Sequence, residues 1–247
     1  MLSWPWLEIL CVVGIVLRFA ATLVRSGPPR AAPGASASSW WPSRGLEVAE
    51  PAPWARAGPG ARQAGQRAEA AMRAQLLAGL PAGTWVLSGL VLPGLPGDID
   101  LLVVGALGAV VVEVKYWAGR IVCGPSGHAW ARQRRGLIET LDDPAGQLEG
   151  QLRALAAFWR RRGWAVAGAV GGLLVFAHPR CGLEVAASPV PAVRPERVLD
   201  ILGGCQAQPL LSEADQARLV ELVIAAQPLG WNSVIGVQRA PGGVRNL

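Results

Sequence analysis

Charge is scarce in this chain. Only 16% of its 247 residues are charged, whereas 51% are hydrophobic. That balance excludes a disordered polypeptide, which needs high charge and low hydrophobicity, and leaves a globular or membrane-associated protein. Cysteine is sparse and scattered: Cys11, Cys123, Cys181 and Cys205 contain no C-x-x-C pair. The spacing speaks against a disulfide framework or a zinc site and for reduced thiols in a cytosolic compartment. His178 and Cys181 form a lone pair in "HPRC", with no further ligand nearby in sequence. Phe, Tyr and Lys are few while Ala, Gly, Arg, Trp and Pro are frequent, a compositional bias that carries no function by itself. No internal repeat is present. At the N-terminus the uninterrupted apolar run, residues 9–17, falls short of the roughly 20 residues that a spanning helix needs.

That run is nevertheless extended on both sides. Residues 2–24 are strongly apolar, with Trp4 and Trp6 at one edge and Arg18 placed to snorkel at the other, so a membrane-spanning helix over 1–25 is expected. An amphipathic helix lying on a membrane or on another domain is the competing reading. A cleaved signal peptide fits less well, because no positive charge precedes the run. Arg18, Arg25 and Arg30 follow its core, and the positive-inside rule then places the remainder in the cytoplasm. Residues 26–60, opening with "SGPPRAAPGASASS", have a Pro/Gly/Ala-rich linker composition. The formal net charge of +6 leans toward polyanions such as nucleic acid or acidic lipid.

From residue 61 the pattern becomes that of a folded domain. Residues 61–80 read as a helix ended by Gly79 and Pro81, with Glu69, Met72, Leu76 and Leu80 on one stripe. "TWVLSGLVL", "DIDLLVVG" and "AVVVEVKY" read as strands, followed by two shorter ones in "GRIVCG" and "HAWARQR". Asp143 and Pro144 open a second helix as N-cap and first residue. A buried strand follows before His178. Two helices come last, the second opened by Ser-x-x-Asp at Ser212, and the tail from Gly230 is expected to be irregular. Helix, strand meander, helix and strand together specify an α/β sandwich around a mixed sheet.

Within this apolar sheet stand three charges. Strand alternation puts Glu113 and Lys115 on one face with Ala109 and Val111, and Asp100 on one face with Asp98, Leu102 and Val104. The short connection makes these strands antiparallel neighbours, so Asp100 can approach Glu113. Two carboxylates and an ammonium at the end of a buried sheet are costly unless paired or metal-bound. Mg²⁺ offsets that cost, with Asp100, Glu113 and the Val114 carbonyl as oxygen donors. A bound water then becomes a nucleophile toward phosphate, and Lys115 orients it or stabilises developing negative charge.

The order of Asp100, Glu113 and Lys115 resembles the PD-(D/E)XK nuclease superfamily, and more specifically the nuclease-related domain family, NERD. The resemblance rests on Gly65 to Glu69, Ile99 to Val104, Gly108 to Lys115, Trp117 to Ile121 and Pro144 to Gln147, within residues 61–180. Leu101 departs from the pattern, in which His often follows the Asp. The resemblance implies a restriction-endonuclease-like αβ sandwich and Mg²⁺- or Mn²⁺-dependent hydrolysis of phosphodiester bonds, with DNA as the expected substrate. It also implies that Gln147 approaches the catalytic strand, and together with the helix stripe it favours Glu69 as a support for a metal-bound water. Arg120, Trp130, Arg132, Arg134 and Arg135 combine cations with an aromatic, a composition suited to phosphate contacts and base stacking. Residues 181–247 are then a C-terminal extension with helices. Two rivals stay open: a non-catalytic nucleic-acid-binding module on the same fold, and a membrane-anchored interaction protein acting through residues 1–60.

Overall fold

The computed structural model describes residues 59–95, 97–106, 108–164, 170–204, 210–227 and 236–241. The expected N-terminal helix and the linker before Pro59 lie outside the described residues, as do Cys11 and Cys205. Among the described residues no helix is long and apolar enough to cross a membrane.

The chain opens with helix α1 (Pro59–Gly79), then strands β1 (Trp85–Val91), β2 (Asp98–Gly105), β3 (Gly108–Lys115), β4 (Gly119–Cys123), β5 (Trp130–Arg134) and β6 (Leu137–Leu141). Helix α2 (Pro144–Arg160) leads into β7 (Val170–Phe176), β8 (Cys181–Val185) and β9 (Ala192–Val193). Helices α3 (Val198–Gly204) and α4 (Glu213–Ala225) precede β10 (Gly236–Arg239). The first sheet has the order β10-β1-β2-β3-β7-β9 and the second the order β6-β5-β4-β8. Both are mixed: β3 runs parallel to β7, and β4 parallel to β8, while the hairpins are antiparallel. Two mixed sheets with helices on them fit a nuclease-like αβ sandwich.

Alternation along β3 decides the layering. Val110, Val112 and Val114 pack with Met72 and Leu76 of α1 and with Val198, Ile201 and Leu202 of α3. Ala109 and Val111 face the other way, onto Leu148, Leu155, Phe158 and Trp159 of α2, Leu219 and Val223 of α4, and Ile121, Cys123 and Trp130 of the second sheet. Helix α1 therefore covers one face of the first sheet, and α2 with the second sheet covers the other.

The helix starts follow the sequence. Asp143 accepts from the Ala145 N–H as the N-cap of α2, with Pro144 behind it. Ser212 and Asp215 close a reciprocal capping box on α4. The tail corrects the expectation of irregular chain after Gly230: residues 236–239 form β10, paired antiparallel with β1. Its four residues add an edge strand by backbone pairing, which a composition rich in Gly does not announce.

Helix α2 sits close to β7 because Gly172 leaves room for it. A Cβ at Gly172 would stand 2.9 Å from Leu152 Cδ1 and 3.1 Å from Leu148 Cδ2. Gly172→Ala is expected to lift α2 from the sheet and destabilise the fold by about 1–3 kcal/mol, as overpacking does. Thermal unfolding of the variant checks this; an unchanged midpoint would show that the helix yields freely.

Candidate active site

The β2–β3 ladder runs from Gly105↔Gly108 to Leu101↔Val112 and then stops. The next backbone pair of this type would join Ile99 to Val114. Instead the Asp100 side chain steps in: its Oδ2 accepts from the Val114 N–H at 2.7 Å. On the other side of β2 the pairing with β1 skips Asp100, opposite Gly89, whose φ is 64°. Alternation also slips here, because Ile99 joins the same core as Leu102 and Val104. The Asp100 carboxylate thus turns into the seam with β3 rather than standing on the Leu102 face, which corrects the simple alternation expected for it. A strand that parts from its neighbour opens a gap at the level of Glu113. The carbonyl of Val114 points to the same side of β3 as its N–H and so faces that gap.

Glu113 is 3% exposed, on the α2 side of the sheet. Its carboxylate is held by three donors. Lys115 Nζ lies 2.5 Å from Oε1, Gln147 Nε2 donates to Oε1 at 3.0 Å, and Gln151 Nε2 donates to Oε2 at 2.9 Å. Lys115 also donates to Gln147 Oε1 at 3.0 Å, which closes a ring of Lys115, Glu113 and Gln147. The Trp117 ring centroid stands 5.7 Å from the ammonium. Lys115 is the only lysine of the chain; the other permanently cationic side chains are all arginine. A compact ammonium fits between two side-chain oxygens where a rigid planar guanidinium fork would not.

The electrostatics are those of crowded carboxylates. Burial, and then the Glu113 charge, push the Asp100 carboxyl up to about 8. Glu69 is also raised, first by burial, then by the charges of Asp98 and Glu113, with Lys115 opposing. Half-buried on α1, Glu69 feels the site from the opposite face of the sheet. Among the described residues no group of three or more His, Cys, Asp or Glu forms a metal cluster. The carboxylate pair of Asp100 and Glu113 is nonetheless the share that a protein supplies to Mg²⁺ in phosphate-handling sites. A divalent cation would offset the burial and the Glu113 charge that raise Asp100, so this donor set fits such an ion.

Gln151 is the residue that sequence reasoning missed. It is 4% exposed, and its amide nitrogen reaches both Glu113 and the Asp98 carbonyl, the latter at 3.2 Å. Because both partners are acceptors, the amide nitrogen must face them. Its Oε1 is then buried with no hydrogen-bond partner among the described residues. The signal was available: Gln151 lies one helical turn after Gln147 on α2. Gln151→Leu, similar in volume, is expected to lower turnover about 10- to 100-fold with little change in KM, since residues that orient metal ligands act on this scale. Steady-state kinetics of the purified variant check it; a loss confined to KM would show that Gln151 contacts substrate instead.

The basic candidates separate into two groups. Arg120 makes a paired contact with Glu184 at 2.6 and 2.7 Å, and Arg132 is bound to Glu139. Arg134 and Arg135 are exposed. Trp130 requires correction as a stacking platform: it is 1% exposed and its ring lies 5.7 Å from Phe176, stacked within the core. A Trp next to arginines in a strand reads like a binding surface, but alternation turns its ring inward.

The mixed αβ sandwich, with a carboxylate pair, a lysine and a glutamine gathered where two strands part, fits a nuclease-like α/β domain. Residues 64–177 match the family model of NERD, the nuclease-related domain. No curated protein and no solved structure gives a significant match to the chain.

Proposed function

We propose that the domain hydrolyses phosphodiester bonds of nucleic acid, with DNA as substrate and Mg²⁺ or Mn²⁺ as cofactor, on a restriction-endonuclease-like scaffold. The observation that carries this reading is the Asp100–Glu113–Lys115–Gln147 cluster at the point where β2 and β3 part. Asp100 and Glu113 hold the ion. When bound, it supplies an acidified water and neutralises charge on the phosphate. Lys115, fixed by Glu113 and Gln147, offers its ammonium to the attacking water or to the phosphate oxygens. Gln147 ties the pair together, its Oε1 accepting from that ammonium and its Nε2 donating to Glu113. Glu69 orders water at the rim of the site. Arg134 and Arg135 contact phosphates, with Arg120 and Arg132 adding weaker fields because their carboxylate partners offset them. Membrane association with the domain on the cytoplasmic side is proposed from residues 2–24 and the arginines that follow them.

The full chain, incubated with linear DNA and millimolar Mn²⁺ or Mg²⁺, is expected to cut it, and EDTA should stop the reaction. If the protein binds no divalent metal at millimolar concentration even with DNA present, the catalytic reading falls and a binding module takes its place. Resistance of the full chain to alkaline carbonate extraction tests the membrane span.

A further inference from the structure

The β5–β6 hairpin ends in a turn at Arg135 and Gly136, with φ of 52° and 80°. Two consecutive left-handed residues make a tight, stiff connection that matches the twist of the strands. The register sets Arg134 opposite Leu137 and Trp130 opposite Leu141, so Leu137 shares the inner face of the second sheet with the core tryptophan. Yet Leu137 is 68% exposed, because it lies beyond the end of that core. Ile138, 43% exposed, points to the other face.

The tip stands at the site end of the molecule. Strand β3 ends at Lys115 and β4 begins at Gly119. Arg120 pairs with Gln133 across the strands, which puts Arg134 beside Gly119. A Cβ at Gly119 would lie 3.4 Å from Arg134 Cβ. Arg134 and Arg135 have no carboxylate partner among the described residues, in contrast to Arg120 and Arg132. A stiff tip with one exposed leucine and two unneutralised guanidinium groups, next to a phosphodiester site, is complementary to a duplex: phosphates outside, an apolar stack within.

We propose that this hairpin is a wedge for double-stranded nucleic acid, with Leu137 entering a base step and Arg134 and Arg135 holding the flanking phosphates. Apolar side chains that enter a groove partly unstack a step and bend the duplex, while arginines supply the salt-sensitive share of affinity. The inference rests on the nuclease reading of the neighbouring cluster and names its substrate as duplex rather than single strand. An anionic lipid surface would also accept arginine and leucine, but the position beside the cluster favours the substrate.

The test uses the full chain in EDTA, where cleavage cannot interfere, with a duplex carrying 2-aminopurine and the corresponding single strand. Wild-type protein is expected to raise the duplex fluorescence. Leu137→Ser should abolish the rise and weaken duplex binding about tenfold, the value of losing one buried leucine, with single-strand binding unchanged. Leu137→Met should retain the rise, and Ile138→Ser, on the opposite face, should behave as wild type. Equal unstacking by wild type and Leu137→Ser would overturn the wedge. So would a Leu137→Ser defect seen only in flotation with phosphatidylserine–phosphatidylcholine vesicles, which would assign the tip to a membrane. If Leu137→Ser does not fold, Leu137→Ala against Leu137→Met replaces it. Absence of cleavage with Mn²⁺ while the unstacking persists would overturn the catalytic reading alone and uphold the wedge as part of a binding module.

Discussion

Replacing Lys115 by alanine is expected to lower metal-dependent cleavage by about 10²- to 10³-fold, the usual cost of removing a group that stabilises transition-state charge. Mn²⁺ affinity should stay the same or tighten, because a positive charge 2.5 Å from the Glu113 carboxylate competes with the cation. Glu113→Ala should instead lose both metal and activity. The two variants then agree in rate and part in affinity. Lys115→Arg should recover little, since the guanidinium is larger, planar and fixed in its donor directions. In a chain with no other lysine and many arginines, this one position keeps the smaller cation. Calorimetric Mn²⁺ titration beside a cleavage assay reads all three variants. A Lys115→Ala protein that cuts DNA at the wild-type rate would remove lysine from the chemistry, and one that no longer binds Mn²⁺ would show that Lys115 shapes the metal site rather than the reaction.

The site's charged core was legible because alternation in an apolar strand makes a charge conspicuous. In "AVVVEVKY" the parity that buries Ala109 and Val111 carries Glu113 and Lys115 to the same face, and the structure keeps that parity. The neighbour relation of β2 and β3 followed from a connection too short for a crossover. Asp100 was legible as a partner but not in its orientation. A seam between strands is set by where the ladder stops, and no local pattern marks that point. Gln151 escaped notice because an uncharged amide on a helix face has an ordinary solvent-exposed alternative; only the approach of α2 to β3 gives it a buried carboxylate to hold. Strands β6 and β8 were unreadable for a related reason. Their burial is partial, so "LIETL" and "CGLEV" lack a clean period of two, and pairing to β5 and β4 fixes them. Trp130 shows the opposite failure, in which composition suggested a surface and the strand's facing decided for the core.

Asp100→Asn is expected to abolish tight Mn²⁺ binding and, at the same time, to remove a pH slope from the stability of the metal-free protein. The sign follows from the carboxyl's environment. Burial and the Glu113 charge raise Asp100 from 3.8 to about 8. Between those values the folded protein holds a proton that the unfolded chain has released. Stability therefore falls as pH rises from about 4 to about 8, and it is level above that range. Glu69, raised for the same reasons, adds to the slope in the same direction. Asn keeps a carbonyl oxygen for the Val114 N–H and carries no charge to desolvate, so the variant should gain on wild type by on the order of a few kcal/mol near neutral pH. The difference between the two proteins isolates Asp100 from every other titrating group. Metal reverses the balance: a cation needs the carboxylate, so below about pH 8 its binding to wild type should expel a proton and tighten with rising pH. Unfolding midpoints in EDTA across pH 4 to 8, with Mn²⁺ calorimetry in buffers of different ionisation enthalpy, read both effects. Should Asp100→Asn be no more stable than wild type near neutrality while still binding Mn²⁺, Asp100 carries no strained charge and is no metal ligand.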